Sequence, residues 1–254
     1  MTDKAPADRK SNGMAEVSVL CLGDWLERDL APFLPYVSAE RRESVARFRH
    51  VSDKNRSLWA ELFVRWRLAE AAGVSASEVE IAHDEKGKPY WKGGALSVSL
   101  SHSGGYVAVA VGRGDVGVDV ERRRKPASAV AKRWFRPEEN ALLESLSEPE
   151  RARLFFRLWT MKEAALKYLG EGLSGGLENV DCQALIKAAR GGEGDALAGR
   201  SFALEDGATI GVVTRREELP TEARLFALEE CATGVYGNSH FVEQTLLSPM
   251  EDKL

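Results

Sequence analysis

Six residues, Val116-Gly117-Val118-Asp119-Val120-Glu121, constrain this chain more than any other stretch. Val116, Val118 and Val120 alternate with Asp119 and Glu121, and a period of two demands a strand with one apolar and one acidic face. Asp119 and Glu121 then point the same way, roughly 6–7 Å apart from the rise per residue. Like charges held that close repel unless something neutralises them. A hard divalent cation such as magnesium would do so and leave room for phosphate oxygens. An exposed edge strand whose carboxylates meet the following Arg122-Arg123-Arg124-Lys125 would satisfy the same pattern.

The rest of the chain arranges itself around that strand as two successions of strand and helix. Residues 1–14 read as a disordered leader and 16–22 as a first strand. A hydroxyl N-cap at Ser38 starts a helix, and a second runs over 52–72 until Gly73 stops it. Strands follow at 78–83, 96–100 and 106–111, with a turn-rich loop at Asp84–Pro89. After Gly112-Arg113-Gly114 the order restarts with the acidic strand, helices at 128–134, 137–146 and 150–169, and strands at 178–181, 201–204, 209–214, 225–230 and 233–236. Residues 190–199 read as a surface loop without assignable chemistry, and 239–254 as a loose tail.

Trp66-Arg-Leu-Ala-Glu70-Ala-Ala echoes Trp159-Thr-Met-Lys-Glu163-Ala-Ala, as expected of a duplicated architecture. The expected fold is α+β, two similar halves in a pseudo-twofold arrangement, 15–113 and 114–238.

Net charge is −4 over 254 residues, so nothing calls for nucleic acid as a partner. Three scattered cysteines, Cys21, Cys182 and Cys231, point to a reducing compartment rather than a disulfide framework. The start has no apolar signal core, and no apolar run approaches the roughly 20 residues that span a bilayer. A cytoplasmic protein without a membrane partner is the expectation.

A third carboxylate comes from the long helix of the second half. Trp159, Glu163 and Lys167 fall at i, i+4 and i+8, broadly on one face. An ordinary surface Glu163–Lys167 pair would contribute about 0.2–0.5 kcal/mol. The surrounding Trp159, Leu166, Tyr168 and Leu169 make the helix mostly buried, and buried acids need partners. Glu163 with Asp119 and Glu121 would complete a three-carboxylate magnesium site.

Together, Gly117-Val-Asp119-Val-Glu121 and Trp159-Thr-Met-Lys162-Glu163-Ala-Ala-Leu-Lys167 resemble the G-I/V-D-I/V-E and W-x-x-K-E-A/S-x-x-K pair of the 4′-phosphopantetheinyl transferases. Lys86-Gly87-Lys88-Pro89, Leu100-Ser101-His102-Ser103-Gly104, Phe135-Arg-Pro-Glu138-Glu139 and Gly170-Glu-Gly172-Leu173-Ser174 fall in the family's order. The resemblance runs from about Ser38 to Asp181, and the length resembles the broad-specificity, monomeric, two-half branch.

The resemblance implies that coenzyme A gives its phosphopantetheine arm to a serine of an apo acyl, polyketide or peptidyl carrier protein, releasing adenosine 3′,5′-bisphosphate. It implies magnesium, with manganese as the alternative ion, on Asp119, Glu121 and Glu163. Glu163 and Lys167 are its implied catalytic residues, Glu163 taking the serine proton. Arg41, Arg56, Ser57, Lys86, Gly87, Lys88, Pro89, Ser101, His102, Lys162 and Lys167 are the implied coenzyme A contacts. Ser44 stands where relatives commonly carry lysine, and Glu70 lacks the flanking lysine of Glu163 and reads as structural. Two competing readings are a degenerate relative that only binds coenzyme A or a carrier, and another magnesium-dependent phosphotransferase. No P-loop supports the latter.

Overall fold

The computed structural model describes residues 13–126, 128–171, 176–191, 196–230 and 239–250. Alternating small and branched apolar residues make the strands, and two 22-residue helices cover them. The first half comprises β1 (Glu16–Cys21), α1 (Ala39–Arg47), α2 (Val51–Ala72), a hairpin of β2 (Ile81–His83) and β3 (Pro89–Trp91), then β4 (Ser97–Ser103) and β5 (Tyr106–Gly112). The second comprises β6 (Val116–Glu121), α3 (Ser128–Trp134), α4 (Pro137–Ser145), α5 (Glu148–Leu169), α6 (Cys182–Ala189), β7 (Leu197–Ala203) and β8 (Thr209–Arg215). β9 (Ala223–Glu230) and β10 (Ser239–Leu247) complete the chain. Among the described residues, no helix is long and apolar enough to cross a membrane.

Duplication shows in the topology. In each half a long helix separates the first strand from an antiparallel pair, and the third strand inserts between the other two, giving β1-β5-β4 and β6-β8-β7. Both α2 and α5 stop at a glycine in the left-handed region, Gly73 and Gly170, which a side chain would disfavour. Side-chain parity then sorts three cores. Val107, Val109 and Val111 of β5 pack toward α2 with Leu58, Leu62 and Phe63. Ala108 and Ala110, on the opposite face, join Val17, Val19, Val116, Val118, Val120, Ile210 and Val212 between the two sheets. Met161, Ala164 and Ala165 of α5 pack with Phe135, Leu143 and Val213 in the third core.

Four expectations change. Residues 239–247 are not a loose tail but β10, the edge of the first sheet, in the order β10-β9-β1-β5-β4. Their pattern hides this because, among the side chains described there, only Phe241 is buried, against Trp59, Phe63 and Trp66. The sheets do not divide at the expected boundary either, since β9 returns to pair in parallel with β1. Residues 178–181, read as a strand, belong to a 3-10 turn (Leu177–Asn179) and to the Asp181 cap of α6, whose side chain accepts from Ala184 N. The 190–199 loop gives way to β7 at Leu197. The strand expected at 233–236 and most of the leader lie outside the described residues.

Candidate active site

With Val116, Val118 and Val120 committed to the core between the sheets, Gly117, Asp119 and Glu121 must face α5. Gly117 is where that helix lies against the strand. A Cβ there would stand 1.9 Å from the Ala164 carbonyl oxygen and 2.6 Å from Tyr168 N. On β8, Gly211, the cross-strand partner of Asp119, would place a Cβ 2.5 Å from the Thr160 carbonyl oxygen. Two missing side chains thus let the helix backbone rest on the sheet, and this delivers Glu163 and Lys167 to Asp119.

The opposite wall comes from β4. Val98 and Leu100 pack toward α2, so Ser99, Ser101 and Ser103 turn to β6. Ser99 Oγ accepts from Val118 N at 3.0 Å. Ser101 Oγ donates to Asp119 Oδ1 at 2.6 Å and Ser103 Oγ to Glu121 Oε2 at 2.7 Å. Ser103 Oγ also accepts from Arg122 N. β4 and β6 belong to different sheets, so this ladder of hydroxyls joins the halves where a backbone ladder is absent.

Between these walls lies a cavity of about 330 Å3 lined by Ser101, His102, Asp119, Val120, Glu121, Trp134, Trp159 and Glu163. Asp119 is buried, and its Oδ1 is shared between Ser101 and Lys167 Nζ, the latter at 2.8 Å. Its Oδ2 is buried without a hydrogen-bond partner. Burial, then the charge of Asp119, pushes the Glu163 carboxyl up to about 7; Lys167 opposes this and Glu121 adds to it. Burial also pushes His102 below the ordinary imidazole range, helped by the charges of Arg56, Lys167 and Arg41, although its side chain reaches the surface.

Three carboxylates against one ammonium, with one buried oxygen unpaired, fit a hard cation by donor chemistry. They are not drawn together into a ready-made centre: among the described residues, no group of three or more His, Cys, Asp or Glu side chains could hold a metal ion as placed. Lys167 supplies the counter-charge to Asp119 instead.

The remaining expected contacts separate into three groups. Arg41 binds Glu61 at 3.0 Å and Ser57 Oγ at 2.8 Å, while Arg56 donates to the Gly104 carbonyl at 2.7 Å and pairs with Asp53. Arg56 therefore ties α2 to the turn just after His102. Lys86, Gly87 and Lys88 form the β2–β3 turn, whose Lys86 and Lys88 amides donate to Asp84 Oδ1, and Pro89 opens β3. Lys88 Nζ reaches Asp115 and the Tyr168 carbonyl, beside a separate cavity of about 360 Å3 at the end of α5.

Lys162 is not brought to the site. It is fully buried and donates to Glu139 and to the Leu177 and Val180 carbonyls, because it sits about 100° around α5 from Glu163. Ser99, Ser103 and Trp134 join the site without being among the expected contacts, although serines at 97, 99, 101 and 103 carry a plain period-two signal.

Fold and site together define a two-half α+β protein with a carboxylate-rich, lysine-countered cavity where its sheets meet. The sequence model of the 4′-phosphopantetheinyl transferase superfamily matches residues 115–206, and that of the 4′-phosphopantetheinyl transferase N-terminal region matches 25–113. The 4′-phosphopantetheinyl transferase ffp of Bacillus subtilis is 32% identical over 158 residues, 60% of this chain and 70% of that protein. Another 4′-phosphopantetheinyl transferase of Bacillus subtilis is 34% identical over 139 residues, 54% of this chain and 62% of its own length. The chain thus spans less than two thirds of that second relative. The holo-[acyl-carrier-protein] synthase of Thermotoga maritima superposes over 52% of this chain and 84% of its own, at 17% identity and a TM-score of 0.31. The chain belongs to the 4′-phosphopantetheinyl transferase family.

Proposed function

We propose that the chain transfers the 4′-phosphopantetheine arm of coenzyme A to a serine of an apo carrier protein, releasing adenosine 3′,5′-bisphosphate. The observation that carries this reading is the cavity itself, lined by Asp119, Glu121 and Glu163, in which Asp119 Oδ2 is buried without a donor. Asp119, Glu121 and Glu163 would hold magnesium, which when bound supplies charge neutralisation at the pyrophosphate.

The chain's own residues account for the other requirements. The acceptor serine Oγ forms a bond to the phosphorus that bears pantetheine, and the bond from that phosphorus to the bridging oxygen of the adenosine moiety breaks. Glu163 faces the cavity that the acceptor serine must enter and takes the serine proton; the rise of its carboxyl to about 7 belongs to the protein without a cation and marks how strongly burial and Asp119 oppose its charge there. Lys167 Nζ, bonded to Asp119 Oδ1, meets developing negative charge on the phosphate. His102, at the cavity surface beside the Arg56-anchored turn, binds a phosphate of coenzyme A. Trp134 and Trp159 shield one side from water.

Incubation with coenzyme A, magnesium and a panel of apo carriers tests this reading. A carrier mass gain of one phosphopantetheine is expected, and it should vanish in Asp119→Ala. No gain on any carrier from a folded protein would overturn it.

A further inference from the structure

Lys162 is a fully buried ammonium next in sequence to the cavity's base, and the transfer chemistry does not use it. Its three N–H donors find three acceptors: Glu139 Oε2 at 2.9 Å, the Leu177 carbonyl at 3.0 Å and the Val180 carbonyl at 2.8 Å. Glu139 is equally buried, and the same Oε2 accepts from Arg136 N at 2.9 Å, closing the start of α4. One ammonium therefore ties α5 to α4 and to the segment leading into α6.

The node also reaches the cavity wall. Lys162 Nζ lies 5.6 Å from the centre of the Phe135 ring. Phe135 stands 6.5 Å from Trp159 and 5.2 Å from Phe155, and Phe155 stacks on Trp159 with only 3° between ring planes. Trp134, adjacent to Phe135, and Trp159 both line the cavity beside Glu163. A buried charge with three fixed acceptors permits one rotation of α5 about its axis, whereas apolar packing alone tolerates small slips.

We propose that the Lys162–Glu139 pair is a positioning device: it fixes the rotation of α5, so that Glu163 and Trp159 meet the cavity at the geometry transfer requires. The inference rests on the proposed transfer reaction for its kinetic consequence but not for its structural one. Lys162 and Glu139 are positioning residues, not catalytic ones, since neither lines the cavity.

Removing one partner strands the other as a buried charge and threatens the fold, so the test uses Lys162→Met/Glu139→Met, in which both charges go and volume is kept. The double variant should melt cooperatively, keep its coenzyme A KM within about threefold and lose kcat by about 30-fold or more, as misplacement by about 1 Å does. With 5-fluorotryptophan in all six tryptophans, the Trp134 and Trp159 resonances should broaden or split while those of Trp25, Trp59, Trp66 and Trp91 hold. Wild-type kcat in the folded variant overturns the proposal, as do unmoved Trp134 and Trp159 resonances. A KM that rises as steeply as kcat falls also overturns it, because the pair would then be shaping binding. If wild type transfers to no carrier, the proposed function fails, and the fluorine spectra still decide this inference.

Discussion

Glu163 holds its proton to a pH at which an ordinary surface glutamate has lost it, and this is as much a stability statement as a catalytic one. Between about pH 4.5 and 7 the folded protein keeps a proton that the unfolded chain has released. Stability therefore falls as pH rises through that window and levels off above it. The full shift would correspond to about 3 kcal/mol, and solvent screening of a partly exposed group reduces this to about 1–2 kcal/mol. In chelator, Glu163→Gln should melt above wild type at pH 8 and level with it near pH 4.5; with magnesium present it should lose transfer. Melting curves across pH check this, and an equal difference at both pH values would show that Glu163 is not strained by its neighbours. His102 makes a second residue-scale test. If it meets the 3′-phosphate, one charge-assisted contact of about 1.5–3 kcal/mol is lost in His102→Ala. Coenzyme A affinity should then fall about ten- to a hundredfold, with dephospho-coenzyme A nearly unaffected. Calorimetric titration of both ligands separates this from a general weakening of the site.

At the scale of elements, the helix-on-strand contact at Gly117 decides whether the carboxylates meet. Gly117→Ala forces a methyl into backbone atoms of α5 that cannot rotate away. Overpacking of this kind costs about 1–3 kcal/mol or more. The helix must lift from the strand, so activity should fall along with Tm, whereas Gly105→Ala, with only Leu26 at 3.5 Å, should leave both near wild type. Thermal melts and initial rates on the pair check this. The acidic strand and its helix were legible because one alternation and one i, i+4 spacing specify them fully. The resemblance implies Lys162 as a coenzyme A contact, but a motif carries no angle, and about 100° of helix turn from Glu163 sends it into the core. The serine ladder was missed for a different reason: hydroxyls on a strand usually read as a solvated face, and only the arrival of β6 buries them.

Across the whole molecule, the return of β9 and β10 to the first sheet brings Phe226, Leu228 and Phe241 into its first core. Phe241 touches Trp59, Phe63 and Trp66, and Arg224 joins Glu16, Glu70 and Glu243 around the fully buried Arg67. Phe241→Ala should cost about 3–5 kcal/mol, the range for emptying an aromatic site. Denaturant unfolding followed by fluorescence measures it. A loss below about 1 kcal/mol would mean that β10 contributes little to the fold. The strand at β9 is legible in sequence but its pairing with β1 is not, since a parallel pairing of residues some 206 positions apart leaves no local trace.

The hydroxyl ladder between β4 and β6 has a consequence for when the chain becomes chemically competent. Two of its three rungs end on Asp119 and Glu121, so the bonds that couple the halves are the same bonds that orient the acids. A nascent chain with one half folded holds only part of the set: the serines without the acids, or the acids without the serines. On the proposed function, transfer would then require the docked halves, and the junction would keep a half-folded chain from consuming coenzyme A.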